Sequence, residues 1–449
     1  MPDPHFSDLI LPQNEQPSIS QLLASLKRTT LSIHNRLASI RADAAFVSDV
    51  AAAYAPRPLV ANERCGSWYI PPARKAAAAY FKSTDGHERA WKFSTRRLNL
   101  HLVELVERND GYVLKLFCMP DALSTTLPIW CTVINLALLP SHPSSPILHL
   151  PPSFSPSTHA QITALLPQFL ASLQALNLNL PSCLTKPLRP VWVTPGSSLP
   201  DSAASIFEDY RPVVCCTASR RVVGSEMDEA GYVQGAGDDT ENWACGLTPP
   251  VFWEHLDELI SASEADLPDL ITRLVSAHSA EKKDDGTRKE LTRHISVCPL
   301  PLAADPATPT EYRIALTPET TSPESWVRSP THLQIGIGKS KTASRNMRTT
   351  LPEICTLVAK FLTETSEDAP RRIVIACESG RDLSVGTALA ISCYLFDDEG
   401  DFRDPGTNTS FTKTLIKSRL GSIMTTYPEA NPSRSTLQSV NSFLMDWQR

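Results

Sequence analysis

Residues 373–386 read Ile-Val-Ile-Ala-Cys-Glu-Ser-Gly-Arg-Asp-Leu-Ser-Val-Gly, and from Cys377 onward they crowd a thiol, three charged groups, two hydroxyls and two glycines into ten positions. That mixture suits the holding of an anion. The approach is apolar: Ile373 to Ala376 run without alternation, as in a strand buried on both faces. The exit is apolar as well, since Val385-Gly386-Thr387-Ala388-Leu389-Ala390-Ile391 opens a helix. A strand, a tight loop and a helix N-terminus aim the free N–H groups of the first helical turn at the loop, where the helix dipole favours negative charge. Cys377, Glu378, Ser379, Gly380, Arg381, Ser384, Val385 and Gly386 are therefore the expected phosphate-binding residues, with side-chain contacts from Arg381 and Ser384.

The loop resembles the cysteine-phosphatase signature, Cys-x5-Arg-Ser/Thr, with Cys377 as the nucleophile and Ser384 as the closing hydroxyl. It departs at one position. The arginine that should clamp the phosphoryl oxygens falls on Leu383, and the basic residue stands two places earlier as Arg381. Leucine makes none of the bidentate contacts that arginine makes to a phosphate. The expectation is a phosphate cradle that does not run phosphatase chemistry. The plainer alternative is a strand-to-helix turn with a buried structural cysteine, but the Gly380–Gly386 run is too polar for a turn that only reverses the chain.

A second constellation is Gln234-Gly235-Ala236-Gly237-Asp238-Asp239-Thr240-Glu241. Its glycines let the backbone approach a ligand closely, and its three carboxylates repel one another unless a cation neutralises them. Mg²⁺ held by a diphosphate and by Asp238 and Asp239 is such a partner; an acidic turn capping a helix that starts near Glu241 fits the same residues equally well. A third run, Lys82-Ser83-Thr84-Asp85-Gly86-His87, leads into Arg89, Lys92, Arg96 and Arg97, with no acid from Ala90 to Val103. Another acid-free stretch, Ser325 to Pro352, carries Arg328, Lys339, Lys341, Arg345 and Arg348 behind Gly336 and Gly338. In an acidic chain such stretches suit phosphate-backbone contacts, although each by itself also reads as a solvated face. Trp68, Tyr69 and Trp91 could stack on a base but fit a core better. His34, His101 and His255 have no metal-ligand partners at useful spacing and read as structural or surface groups.

These loops need elements to hold them. The chain has 449 residues, 42% of them hydrophobic, enough for two or three domains with substantial cores. Residues 1–17 read as a loose tail. Ser18 and Gln21 fit a capping box, with Leu22, Leu26, Ile33, Leu37 and Ile40 following at helical spacing, so 19–53 should be one or two helices whose Arg28, Arg36 and Arg41 form a solvated face. Trp68 to Asn135 reads as short β-like and loop segments, Leu139 to Ser157 as a Pro- and Ser-rich surface excursion, and 159–177 as an amphipathic helix. Pro190–Val193 and Pro212–Cys216 read as buried strands. The charged run 281–286 and the Pro-rich run 299–309 predict a boundary, with one domain over 18–290 and an α/β, mostly parallel-sheet domain over 310–449. Net charge is −6 and the sequence pI about 6.0, so nucleic acid is met by local basic patches and not by the chain as a whole, and neither DNA nor a membrane is expected as a partner. The 11 scattered cysteines show no zinc or disulfide framework, and Met1-Pro2-Asp3-Pro4-His5 does not open a signal peptide; a cytoplasmic protein is expected.

Taken in order, the segments resemble the initiator tRNA phosphoribosyltransferase family. The resemblance is carried by Tyr80–His87, Trp91-Lys92-Phe93-Ser94 with Arg96–His101, and Met119–Ser124 with Pro128-Ile129-Trp130-Cys131. It continues through Gln234–Asp239, Gly246-Leu247-Thr248-Pro249 with Phe252-Trp253, the 377 loop, and Asn431-Pro432-Ser433-Arg434 with Leu437–Met445. It spans nearly all of the chain from about residue 18. Between Leu102 and Met119 the chain departs from the family pattern: the Asp-Ser-Thr-Arg run is missing, and Thr125 stands where lysine is usual. That implies either loss of a phosphate or RNA contact or a misjoined exon.

The resemblance implies transfer of ribose 5-phosphate from phosphoribosyl pyrophosphate to the 2′-OH of adenosine 64 in the T stem of initiator methionine tRNA, which keeps that tRNA out of elongation. It also implies a multi-domain α/β chain whose C-terminal domain is similar to dual-specificity phosphatases, in accord with the cradle. Such a reaction displaces diphosphate at the anomeric carbon through an oxocarbenium-like transition state. It needs a cradle for the donor phosphate, Mg²⁺ on the diphosphate and a base near the 2′-OH. Asp382, beside the cradle, is the expected base or metal contact, with Arg381 as its catalytic partner. Asp238 and Asp239 are the second candidates for Mg²⁺. Lys82, Arg96, Arg97, Lys339, Arg345 and Arg348 are expected on tRNA phosphates. The competing readings are a tRNA-binding protein with a dead cradle and an active cysteine phosphatase, the latter opposed by Leu383.

Overall fold

The computed structural model describes residues 31–63, 65–81, 91–116, 123–200, 207–222, 227–228, 230–281, 288–302, 310–364, 371–403 and 411–446. The expected tail, the Ser18–Gln21 capping box, Arg28, Lys82 and Arg89 lie outside these residues.

The N-terminal half is a parallel sheet between helical layers. Helix α1, Ile33–Ala53, starts at Ser32, whose Oγ accepts the Asn35 N–H at 3.2 Å. Strands β1 (Leu59–Asn62) and β2 (Lys75–Ala79), helix α2 (His101–Arg108) and strand β3 (Tyr112–Leu116) follow. Then come helices α3 (Leu123–Leu138) and α4 (Pro156–Gln174) and strands β4 (Leu188–Val193) and β5 (Arg211–Thr217). The strands run in the order β2-β1-β3-β5-β4, and every pairing is parallel. One face packs Val113, Val214 and Cys216 on α1 and on helix α5, Leu267–Glu281; the other packs Tyr112, Leu114 and Cys215 on α2, α3 and α4. Both faces being covered explains why β5 reads as an unbroken apolar run from Pro212 to Cys216.

The chain leaves β1 for β2 on one side and returns to β3 on the other, so the β1/β3 junction is a topological switch point, where α/β sheets place ligands. Gly66 fits into that junction: a Cβ on it would lie 3.2 Å from Ala61 and 3.3 Å from the Lys115 carbonyl.

Residues 68–135 depart from the expectation of short β-like and loop pieces, because α2 and most of α3 lie there. Helix α3 is buried over twelve of its residues, from Leu123 to Asn135, and a helix buried all round has no 3.6-residue period to read.

The second sheet contains β6 (Lys289–Glu290), β7 (Ile295–Pro299), β8 (Glu311–Thr317), β9 (Val327–Ser329), β10 (His332–Gly336) and β11 (Arg372–Cys377). Their order is β6-β7-β11-β8-β10-β9, parallel in the four central strands and antiparallel at the edges. Helices α6 (Ser340–Glu364), α7 (Leu383–Leu395), α8 (Lys413–Thr426) and α9 (Arg434–Asp446) complete it. Ile295 pairs with Ile373 and Pro299 with Cys377, so this sheet draws on residues upstream of 310. The expected boundaries at 290 and 310 are corrected accordingly: the Pro-rich run follows β7 directly, inside the domain. Among the described residues no helix is long and apolar enough to cross a membrane.

An ion cluster anchors the start of β5. Arg211 Nε and Nη2 bond the two Glu107 carboxylate oxygens at 3.0 and 2.5 Å, while Asp110 bridges Arg211 Nη1 (2.5 Å) and Arg57 Nη2 (2.7 Å). Burial works to raise the Glu107 carboxyl, but hydrogen bonds from Arg211 and Thr185 outweigh it and hold it at about 2. A depressed carboxylate stabilises the fold fully above its ordinary value near 4.5 and loses that contribution as pH falls through about 2. The melting temperature of the wild-type chain should therefore fall across this window, and that of Glu107→Gln should fall less steeply. Parallel melting curves for the two proteins would contradict the assignment.

Candidate phosphate cradle and active site

Strand β11 ends at Cys377, and α7 begins six residues later at Leu383. The intervening loop folds under β7. Gly380 has φ +65°, and a Cβ there would stand 2.7 Å from Cys298 C and Pro299 N, so both conformation and space require glycine. Its N–H donates to the Cys377 carbonyl at 3.1 Å, and Cys377 Sγ lies 3.2 Å from Ser384 Oγ. Gly386 and Val385 are buried. A Cβ on Gly386 would meet Thr436 Cγ2 at 2.3 Å, so this glycine brings α7 close against α9.

Above the loop opens a cleft of about 430 Å³. Three helix N-termini reach it: α7 through Cys377, Glu378, Ser379 and Asp382; α6 through Gly338, Lys339 and Ser344; and α9 through Ser433 and Ser435. Three helix N-termini at one cleft, with one lysine beside them, favour negative charge there without the missing arginine. Lys339, expected on tRNA, stands at this cleft and is exposed. The carboxylates of Glu378 and Asp382 share the cleft with it.

Arg381 is placed differently from the expectation. Its guanidinium does not line the cleft; Nη2 bonds Glu429 Oε2 at 3.0 Å. Burial works to lower its pKa, and Glu429, Tyr427 and Tyr80 raise it overall. Asp382 is not a free carboxylate either. Its Oδ1 accepts the Ser433 N–H at 2.8 Å and the Thr436 hydroxyl at 2.6 Å, holding the first turn of α9 against the loop.

Arg96 and Arg97, expected to grip tRNA phosphates, instead bind this domain. Arg96 Nη2 donates to the Pro432 carbonyl, and Arg97 donates to the Ala430 carbonyl (2.8 Å) and to Asn431 Oδ1. Arg97 also lies over the Tyr80 ring, 4.7 Å from its centroid, and Tyr80 OH reaches the Glu429 carbonyl at 3.4 Å. Burial draws Arg97 down to about 10 and lowers Arg96 too, against the pull of Asp382. Asn431 N–H in turn bonds the Arg381 carbonyl at 2.7 Å. Segment 429–433 is thus a bracket between the N-terminal domain and the cradle.

Asp238 and Asp239 sit elsewhere, over the switch point of the first sheet. Gly237 N–H donates to Tyr69 OH at 2.9 Å, the Asp238 carbonyl accepts Trp243 Nε1–H at 2.7 Å, and the Ala236 carbonyl accepts Arg36 Nη1–H at 3.1 Å. Arg36 therefore holds this loop and is not part of a solvated face. Asp239 is exposed, Asp238 half-buried, and a four-residue helix starts at Thr240. Among the described residues no group of three or more His, Cys, Asp or Glu side chains is placed to hold a metal. The pair fits a metal that arrives on a diphosphate and needs one or two carboxylates, but not a cage made by protein alone.

Behind this loop lies a buried polar cluster that the sequence reading missed. Lys115 is 0% exposed; its Nζ donates to the Leu116 carbonyl and lies 4.1 Å from the Tyr69 ring centroid. Asp43 is buried nearby and accepts the Ser219 (2.7 Å) and Tyr232 (2.8 Å) hydroxyls. Burial raises the Asp43 carboxyl, against opposing pulls from Lys115, Ser219 and Tyr232. The available signal was a lysine inside the otherwise apolar strand Tyr112–Leu116. Trp68 and Tyr69 are core, His34 Nε2 lies 3.1 Å from the Ile260 carbonyl, and His101 Nε2 lies 2.7 Å from that of Ala78, as expected for structural groups.

Comparison with known proteins follows the same two-part division. A model described as the Rit1 N-terminal domain matches residues 26–276, and one described as the Rit1 DUSP-like domain matches residues 331–444. A tRNA A64-2′-O-ribosylphosphate transferase of Saccharomyces cerevisiae is 32% identical, covering 98% of this chain and 97% of that protein. An uncharacterized protein of Schizosaccharomyces pombe is 33% identical, covering 92% and 94%. No solved structure matches the chain.

Two outcomes follow from the geometry. Arg97→Ala should destabilise the fold by about 2 kcal/mol, the scale of charged hydrogen bonds lost from a buried site, and should weaken phosphate binding at the cradle; Arg97→Lys should recover part of both. Lys115→Met removes a buried cation whose field opposes the burial penalty on Asp43 and should destabilise the fold, whereas the double variant Asp43→Asn, Lys115→Met should lose less than the sum of the two single changes. Denaturant unfolding of the single and double variants measures the coupling, and additive losses would contradict it.

Proposed function

The chain belongs to the Rit1 family, and on that premise we infer that it is a tRNA A64 2′-O-ribosylphosphate transferase. The observation that carries this reading is similarity along 98% of the chain to the yeast enzyme, spanning both the switch-point domain and the cradle domain. We further propose that the donor is phosphoribosyl pyrophosphate, the acceptor initiator methionine tRNA, and the place of action the cytoplasm.

The bond from the anomeric carbon to the diphosphate oxygen breaks, and the electron pair leaves with the diphosphate. The bond from the ribose 2′-oxygen to the same carbon forms, and the 2′-OH gives up its proton. In this proposal the cradle holds a phosphate of the donor where the three helix N-termini meet, with Lys339 as counter-charge in place of Arg381. In this reading the Glu378 and Asp382 carboxylates, which line the same cleft, would face the sugar as positive charge grows on it, and a fixed anion beside a developing cation lowers the barrier. Asp382 takes the 2′-OH proton on the oxygen that does not cap α9. Mg²⁺ carried by the diphosphate would offset charge on the leaving group. Arg96 and Arg97 act by positioning, through the bracket.

Incubation of initiator and elongator methionine tRNAs with the protein, Mg²⁺ and phosphoribosyl pyrophosphate should add one ribosyl phosphate to the initiator alone, read by tRNA mass. No mass gain on either tRNA would overturn the reading. Asp382→Asn keeps an acceptor for Ser433 and Thr436 but is no base. It should lower the transfer rate by about 10²-fold or more, the usual contribution of a general base, while both substrates still bind. Near-normal transfer would reduce Asp382 to a cap.

A further inference from the structure

Helix α9 stands between two basic clefts. On one side α6 carries Arg345 and Arg348 on one face, and a cleft of about 240 Å³ lies between them and Ser435, Gln438 and Ser442 of α9. On the other side α8 carries Lys413 and Lys417, again on one face, and a cleft of about 200 Å³ lies between them and Leu437 and Asn441 of α9. No acidic residue lines either cleft among the described residues. The outer edge of α9 is polar: Arg434, Ser435 and Gln438 are exposed, Asn441 and Ser442 are half-buried, and no acid occurs from Arg434 to Met445. The N-terminal end of the same helix lines the phosphate cradle through Ser433 and Ser435. In a chain of net charge −6, two cation pairs set on either flank of one acid-free helix form a strongly local anion-binding surface.

We propose that α9 is a ridge seated in the shallow minor groove of an RNA duplex, with Arg345 and Arg348 on the phosphates of one strand and Lys413 and Lys417 on those of the other. This rests on the transferase reading and adds how the acceptor is held. The minor groove of A-form RNA is wide and shallow, displays the 2′-hydroxyls, and is bordered by a phosphate backbone on each side. A helix with its side chains is about 10–12 Å across, so cations on its two flanks meet two different strands and not one strand twice. The hydroxyl and amide groups of Ser435, Gln438, Asn441 and Ser442 hydrogen-bond 2′-hydroxyls without reading base sequence. A duplex lying along this ridge carries its 2′-hydroxyls toward the end of α9 that opens on the cradle. Recognition is then of duplex shape. The reacting nucleotide stays in its stack.

The test uses the full-length chain with two charge reversals, Arg345→Glu with Arg348→Glu and Lys413→Glu with Lys417→Glu, and tRNA binding is measured against salt. Each reversal should weaken binding at least tenfold and flatten the slope of log affinity against log salt by about two, one per lost phosphate contact. A hairpin of the T-stem duplex should compete for the site, and single-stranded RNA of equal length should not. Lys289→Glu, on the far edge strand β6, should leave binding and transfer unchanged. Glutamine versions of both pairs carry the same test if a reversed chain does not fold. An effect from only one pair, or equal competition by single-stranded RNA, would overturn the proposal. A wild-type chain that binds the duplex through both pairs but transfers nothing would overturn the transferase reading alone. Transfer that persists with both reversals silent would overturn this inference alone.

Discussion

A single carboxylate oxygen, Asp382 Oδ1, joins the helix that leaves the cradle to the helix that crosses it. It accepts from Ser433 N–H and from the Thr436 hydroxyl, so the first turn of α9 is fixed relative to the first turn of α7. The bracket 429–433 then passes the constraint outward, through Asn431 to the Arg381 carbonyl and through Ala430, Asn431 and Pro432 to Arg97 and Arg96. A cradle made of backbone N–H groups has no flexible arm to close on its ligand, so its geometry has to be set in advance by such contacts.

That constraint accounts for a phosphatase-like loop with leucine at the clamp position. An arginine holds phosphate by reaching for it; in the proposed cradle, helix termini would hold it by being already in place. The arginine two positions early serves the bracket, pairing with Glu429. The two arginines that the first domain sends across do the same, and this makes the cradle's shape a property of both domains. The first sheet's own switch point, with Lys115, Asp43 and Tyr69 buried beneath the Gly235–Asp239 loop, shows a parallel arrangement: a glycine-rich loop set by polar groups held in the core.

The parts of the molecule that were legible in the sequence are those whose signal is local. The unbroken run Ile373–Ala376 and the polar loop before an apolar helix predict β11, the loop after it and α7, and Gly380 marks the sharp turn. The strands at 190–193 and 212–216 declare themselves in the same way. What was not legible depends on distant partners. An acid-free stretch with Arg96 and Arg97 reads as an RNA grip because nothing within it points to carbonyls more than 330 residues away. Arg381 reads as catalytic because Glu429 is remote in sequence, and the cap that Asp382 places on α9 stays hidden for the same reason. Helix α3 hid its period by being buried on every side, and the strand Ile295–Pro299 hid behind a proline-rich run that reads as a linker. Chemistry at a site is written in short runs; the contacts that pre-set it are written across the whole chain.

In the proposed function, the loop after β11 holds a phosphate of the donor with no arginine clamp. A crystal structure of the full chain with phosphoribosyl pyrophosphate bound tests it most directly. A donor phosphate should be seated at the N-terminus of α7, within reach of Lys339, with Arg381 still on Glu429. A donor bound entirely over the Gly235–Asp239 loop, with the cradle empty, or an Arg381 swung in to clamp the phosphate, would contradict it.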